Sequence, residues 1–340
     1  MMLTSPHEEL QALRQKFEAT AAAYANTERE MSDAGRSLAG SNRGAILMYH
    51  RVAHLALDPA GLCVGPEVFQ AQMEHLARTC EPISLDVMTA TASSGRIPRR
   101  AVAITLDDGY LDAVVASDIL CSLHVPATFF VNSSAGGETL IDSIARIFLE
   151  DLPLPAALDL EVAGTPVHAA CATAEDRRTT FDTLRDLGYC LSATARRDLL
   201  WALYDWCGLD PAPRPSHRVL TPWEVRELAS RPGHTIGAHT HQHLWLPAQP
   251  LSIKVQEMAV NRRYLEDVLG QDVSSFAYPY GAYDEETVRL CRSLGFRTAV
   301  TVEPRPVRPW DDSLLLPRQE IKNIDHAEFA MTVDALVGRP

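Results

Sequence analysis

Ala101-Val-Ala-Ile-Thr-Leu-Asp107-Asp108-Gly109-Tyr110 is a short apolar run that ends in two adjacent carboxylates. Such a run, broken only by one Thr, reads as a strand covered on both faces, as in a parallel sheet. Like charges at its mouth are costly unless a cation or a proton joins them. Asp-Asp-Gly is also ordinary turn chemistry, so the pair alone leaves a turn and a functional site both open. Far along the chain, after another short apolar run, comes Gly237-Ala-His239-Thr-His241-Gln-His243. A single His is more often structural than a ligand, but two imidazoles four residues apart can converge on one ion. His241 points away from such a pair on a helical path and is read as a bystander; a strand-like path would pair it differently. An acidic pair and a His-x-x-x-His set, each closing a strand, suit a divalent metal site with a general base. Neighbouring side chains on an extended chain point in opposite directions, so one carboxylate can ligate the ion while the other takes a proton from water.

The surrounding sequence repeats a strand–helix rhythm. Ala45-Ile-Leu-Met-Tyr49-His50 is an apolar strand ending in a His, and Pro66 opens a helix through Leu76. Further strands are expected over Pro126–Val131, His234–Ala238, Ser274–Tyr278 and Arg297–Val302. Helices are expected over Leu111–Leu123, Trp223–Ser230, Ile253–Leu269 and Asp284–Leu294. This alternation predicts an α/β protein with a parallel sheet or barrel. Between about 140 and 220 the rhythm changes. Helical patterns lie at Ile141–Leu149, Asp176–Leu187 and Thr194–Cys207, with a small hairpin over Leu158–His168. This is read as a mostly helical insertion, of the kind that often forms a lid or wall. Its Trp201, Tyr204 and Trp206 fit either a pocket wall or the insertion's own core, and their helical spacing favours the core. Trp310, in Arg308-Pro-Trp-Asp, is a candidate for stacking on a ligand ring or for a buried anchor. Residues 1–43 are expected to be an N-terminal helical extension, amphipathic over 7–34, and a Gly/Ser/Asn linker. The main domain spans 44–335. The amphipathic helix would pack on that domain or on a second copy, so a homo-oligomer is an expectation.

Composition narrows the class. The 340 residues carry 46% hydrophobic and 22% charged residues and a formal net charge of −13, with a pI near 5.4. A nucleic-acid binder would need a concentrated basic surface, so nucleic acid is not an expected partner. No apolar stretch is long enough to span a bilayer, and the first residues carry neither the basic nor the apolar region of a secretory signal. Seven cysteines without a C-x-x-C pair read as reduced thiols, and the expected location is the cytoplasm.

Three motifs, in order, carry a family resemblance. Thr105-Leu-Asp-Asp-Gly109 resembles the T-F-D-D-G motif of the polysaccharide deacetylases (NodB homology, carbohydrate esterase family four). His239-Thr-x-x-His243 is similar to their H-[ST]-x-x-H motif, and Phe276-Ala277-Tyr-Pro279-Tyr280-Gly281 to their R-x-P-[YF]-G motif. Leu47-Met-Tyr49-His50-Arg resembles the N-terminal motif of the poly-N-acetylglucosamine deacetylase branch. The resemblance covers about residues 44–335, less the insertion. It implies a distorted (β/α)7-type barrel and metal-dependent hydrolysis of the N-acetyl group of an N-acetylated sugar. It makes Asp107 the base, Asp108, His239 and His243 the metal ligands, His50 the acid, and the Tyr280 backbone N–H a holder of the oxyanion. Zn²⁺ is the first expectation for the ion, with Co²⁺ or Ni²⁺ as alternatives. The sequence departs from the pattern in three ways. Leu106 replaces Phe. No C-terminal L-x-x-H motif is found, since His326 lies in Asn-Ile-Asp-His. Ala277 replaces the Arg that orients the base, and Arg318 is the candidate substitute. An intracellular saccharide is the expected substrate: a nucleotide sugar, a lipid-linked precursor, or an N-acetylhexosamine on a small molecule. The same machinery could serve a deformylase or another amidohydrolase on a non-sugar amide, and a non-catalytic carbohydrate-binding relative is a third reading.

Overall fold

A computed structural model describes residues 43–134 and 137–339; the amphipathic segment at 7–34, with the self-association expected of it, lies outside the described residues. In chain order the elements are β1 (Ala45–Tyr49), β2 (Arg51–Val52), β3 (Cys63–Val64), α1 (Pro66–Thr79), β4 (Glu81–Pro82), α2 (Leu85–Ser93), β5 (Ala101–Leu106), α3 (Ala113–Ser122), β6 (Ala127–Val131), α4 (Leu140–Leu149), β7 (Ala157–Val162), β8 (Thr165–Ala170), α5 (Ala174–Cys190), α6 (Ala193–Cys207), α7 (Pro222–Ala229), β9 (His234–Ala238), α8 (Leu251–Leu269), β10 (Ser275–Ala277), α9 (Glu285–Ser293), β11 (Thr298–Val300), β12 (Gln319–Glu320) and α10 (His326–Val337). They divide into two compact units. One is formed by 43–134 and 219–339, the other by 137–218.

The larger unit is an α/β barrel. Its parallel strands follow the order β11-β10-β9-β6-β5-β1-β12, with β4 also paired to β5. Leu316 bridges Val300 of β11, and three residues later Gln319 and Glu320 pair with β1. One short segment thus touches both ends of the sheet, and the sheet curls into a barrel. Every residue of β1, β5 and β6 is buried, which is why these strands read as unbroken apolar runs. The helices start on local signals. Pro66 and Pro222 take the first positions of α1 and α7, and Thr221 and Glu224 form a capping box on α7.

Register then places the chemistry. Tyr49 is level with Leu106, Leu106 with Phe129, Val131 with Ala238, and Ala238 with Phe276. The residues that follow these strands therefore share one rim, the C-terminal face where barrels of this type carry their sites.

The smaller unit builds its own core. Phe148, Leu158, Phe181, Leu184, Leu199 and Leu203 are buried. Trp206 stacks on Phe148, with ring centroids 5.8 Å apart, and donates its N–H to the Ala157 carbonyl at 3.2 Å. The β7–β8 hairpin turns through Ala163 and Gly164, both at positive φ, as a two-residue turn requires. Arg214 grips Glu138 through Nε and Nη2, both at 3.1 Å, so the two ends of the unit are pinned together.

Candidate active site

Asp107 follows the last residue of β5, and its backbone N–H donates to the Tyr49 carbonyl on β1. Its carboxylate meets a fully buried guanidinium. Arg318 donates from Nη1 to Oδ1 at 2.7 Å and from Nη2 to Oδ2 at 2.6 Å, a two-pronged pair. The arginine is itself fixed: Nε donates to the Thr301 carbonyl at 2.8 Å and Nη1 to Thr105 Oγ1 at 3.1 Å. Burial raises the cost of ionising Asp107, and the Arg318 charge and hydrogen bonds outweigh that cost, so its pKa lies below the ordinary value. Ala277, where the family motif has Arg, has only a buried methyl group for a side chain. The guanidinium that faces the base comes instead from the segment between β11 and β12.

Asp108 turns the other way. Its φ is +72° and that of Gly109 is +70°. A Cβ at Gly109 would lie 2.9 Å from Val131 Cγ1, so only glycine fits this turn. Asn132 holds the Asp108 carbonyl through Nδ2 at 2.8 Å. Asp108 Oδ1 lies 3.2 Å from His239 Nε2 and 3.1 Å from His243 Nε2, and the two nitrogens are 3.1 Å apart. The second nitrogen of each ring settles which atoms carry protons. His239 Nδ1–H donates to the Ala277 carbonyl at 2.8 Å. His243 Nδ1 lies 3.0 Å from Tyr280 Oη, and that hydroxyl donates to the His243 carbonyl at 3.3 Å, leaving its lone pair to accept Nδ1–H. Both Nε2 atoms then present lone pairs. Asp108 Oδ1 is buried and has no hydrogen-bond donor. Three electron pairs aimed at one point, with the oxygen among them orphaned, fit a divalent cation. Burial disfavours the Asp108 charge, and only positive charge at this point, from protonated imidazoles or from a cation, holds its pKa well below the ordinary range.

Backbone strain marks the same place. Asp108, Thr240, His243 and Tyr280 account for four of the eight non-glycine residues at positive φ among those described, a concentration typical of functional sites. The segment 239–243 is therefore not helical, and His241 is turned aside to Ser133 Oγ at 2.8 Å. Asn261 supports the loop by accepting the His239 N–H at 2.8 Å and donating to the Val131 carbonyl at 3.1 Å.

His50 leaves β1 on the same rim, close enough to both aspartates for its charge to bear on them. Its Nδ1 lies 3.8 Å from Glu320 Oε1, and Lys322 Nζ holds that carboxylate at 2.7 Å. Glu320, Asn132 and Asn261 were not foreseeable from a motif. Trp310 is placed elsewhere. Its backbone N–H donates to Ala92 at the end of α2, and its ring covers Gly95. Both precede β5, at the end of the barrel opposite Asp107, so Trp310 cannot stack on a ligand at this rim even though it is 77% exposed.

The rim, its donor set and the curled sheet define an α/β barrel that carries a possible Asp/His/His metal site. The polysaccharide deacetylase family model matches residues 94–299, more than half of the chain, and the protein belongs to that family. Asp107, Asp108, His239, His243 and Tyr280 lie within the matched range, whereas His50 and Arg318 lie outside it. YxkH of Bacillus subtilis (strain 168), whose name places it among polysaccharide deacetylases, is 32% identical over 85 residues. That match spans 25% of this chain and 30% of YxkH, less than a third of the relative's length. Among solved structures, the Streptococcus pyogenes deacetylase PplD in complex with acetate aligns with a TM-score of 0.56 at 20% identity, covering 88% of this chain and 99% of that one. A polysaccharide deacetylase from Bacillus cereus aligns at 0.55 and 17% identity, covering 87% and 70%. At these identities the likeness is one of fold.

Proposed function

We propose that the protein hydrolyses the N-acetyl group of an N-acetylated sugar, releasing acetate and a free amine. The observation that carries this reading is the convergence of Asp108 Oδ1, His239 Nε2 and His243 Nε2 beside a carboxylate, Asp107, that is held apart from them by Arg318. Family membership supplies the reaction class.

Asp108, His239 and His243 are the residues that would hold a divalent ion, Zn²⁺ in our assignment, with Co²⁺ or Ni²⁺ able to use the same donors. Bound there, the ion supplies Lewis-acid polarisation and makes water a nucleophile near neutral pH. Asp107 accepts the proton of the attacking water. Each of its oxygens gives one lone pair to Arg318 and keeps another for that proton. The Tyr280 backbone N–H is assigned to the charge that develops on the carbonyl oxygen. His50, at the end of the neighbouring strand β1, delivers a proton to the departing amine. We assign the activity to the cytoplasm; the described cysteines are all free thiols, which supports it.

Acetate release from N-acetylated oligosaccharides, with bound metal counted by mass spectrometry, tests the assignment. The expected result is turnover that is lost on chelation and restored by Zn²⁺. Chelator-insensitive deacetylation, or undiminished turnover by Asp107→Asn, would sink it.

A further inference from the structure

The residue after His50 is an arginine, and its side chain is only 3% exposed. A buried guanidinium needs a partner, and here it has one in Asp112. Arg51 Nε donates to Asp112 Oδ2 at 2.9 Å, and Nη2 lies 2.8 Å from the same oxygen. The other oxygen, Oδ1, accepts the Val52 backbone N–H at 3.0 Å. Asp112 occupies the N-cap position of α3, where an aspartate ordinarily accepts a helix N–H, yet its side chain makes no cap. Its hydrogen-bonding capacity is turned instead toward the two residues that follow His50. The guanidinium also lies over the Tyr110 ring, 4.2 Å from its centroid. Tyr110 and Asp112 both belong to the loop that opens with Asp107 and Asp108.

His50 is therefore bracketed. The residue before it accepts a hydrogen bond from Asp107, and the two after it are bound by Asp112. The strand exit at 49–52 and the loop at 107–112 are bonded to each other at both ends. Asp108 has its own anchor in Asn132, so the metal-ligating carboxylate does not depend on this pair alone.

We infer that the Arg51–Asp112 ion pair is a positioning device for His50. It fixes the imidazole relative to Asp107, so that base and acid serve the attacking water and the leaving nitrogen of one amide. The inference rests on the proposed deacetylation, in which His50 protonates the leaving amine. Neither Arg51 nor Asp112 touches the substrate; both act through the backbone that carries His50. An acid displaced by about 1 Å loses on the order of 10²-fold in rate.

The test uses the full chain loaded with Zn²⁺ and two substrates. One is an N-acetylated oligosaccharide, whose amine must be protonated as it leaves. The other is 4-nitrophenyl acetate, whose phenolate leaves without a proton. In Asp112→Asn, which keeps the shape of the side chain, and in Arg51→Lys, amide turnover should fall roughly tenfold to a hundredfold while ester turnover changes by less than about threefold. Bound zinc should be unchanged. Equal losses on both substrates, or no loss on the amide, overturn the inference. A second measurement needs the amide only: in a His50→Ala background, Asp112→Asn should cause no further loss, and an additive loss overturns the inference. A wild-type protein that cleaves the ester but no N-acetyl amide would instead overturn the assignment of the reaction.

Discussion

Asp107 and Asp108 are neighbours in the chain, yet they face two differently built halves of the rim. On the β5–β12 side, Asp107 meets a guanidinium that matches it hydrogen bond for hydrogen bond. That half is electrically complete with protein groups alone. On the β9–β10 side, Asp108 meets two imidazoles whose protons are committed elsewhere, to the Ala277 carbonyl and to Tyr280. That half is incomplete until a cation enters. On the proposed function, the difference gives two adjacent carboxylates two roles: the one saturated by Arg stays ionised and outside the ligand set, while the one left facing lone pairs serves as a ligand.

The largest effect should come from breaking the incomplete half. His239→Ala removes a buried ligand, and bound metal measured by mass spectrometry should drop to background. Acetate release should fall by roughly 10³-fold or more, since the ion contributes several kcal/mol to the barrier. Asp107→Asn breaks the other half differently. Metal content should stay at the wild-type level while turnover falls by about 10²–10⁴-fold, the usual share of a general base. A variant that lost metal and activity together would erase the contrast between the two carboxylates.

Arg318→Met tests why Asp107 is charged. Removing one member of a buried pair costs about 3–5 kcal/mol, to be read from denaturant unfolding. The pH dependence should change sign as well. In the wild type the Asp107 pKa is lowered, so its contribution to stability is complete above about pH 4 and is lost as the pH falls through the folded-state value. Without Arg318, burial, the largest influence, is opposed only by the weaker effects of His239 and His50, and that pKa rises. The same group then disfavours the folded state once it ionises, and acidification restores stability instead of removing it. The acid limb of the pH–rate profile should move to higher pH.

The sequence made the incomplete half legible and left the complete half nearly hidden. Asp107, Asp108, His239 and His243 lie in compact stretches where each strand ends, so residue type, spacing and the apolar run before them singled them out, and the family motifs supplied their roles. The Asp107–Arg318 pair joins residues 211 positions apart. It depends on a segment that touches both edges of the sheet, and no local pattern announces that closure. Arg318 could be singled out only because Ala277 left a vacancy in the motif. Glu320, Asn132 and Asn261 had no such vacancy to point to them. Trp310 was left open between ring stacking and a buried anchor for a related reason: only the three-dimensional path shows which end of the barrel it occupies. The helices between 140 and 207 were easier to read from their apolar spacing, and the structure adds local caps at Thr139, Thr173, Ser192 and Gly208.

The smallest effect should come from Tyr280, which the family motif assigns to the oxyanion through its backbone and the structure also ties to the metal half through its ring. Its hydroxyl accepts His243 Nδ1–H and donates to the His243 carbonyl. Tyr280→Phe deletes that hydroxyl alone and asks the backbone to keep its +59° φ, so the N–H assigned to the oxyanion stays in place. His243 is 20% exposed, so water can take over part of the lost hydrogen bond, and His239 keeps its backbone partner at Ala277. Metal affinity should weaken by about tenfold, the lower end of what the loss of a group orienting a metal-binding histidine causes. At saturating Zn²⁺, turnover should stay close to wild type. A fall in turnover that added metal does not repair would place the Tyr280 hydroxyl on the substrate, and the division between the two halves of the rim would then need to be redrawn around it.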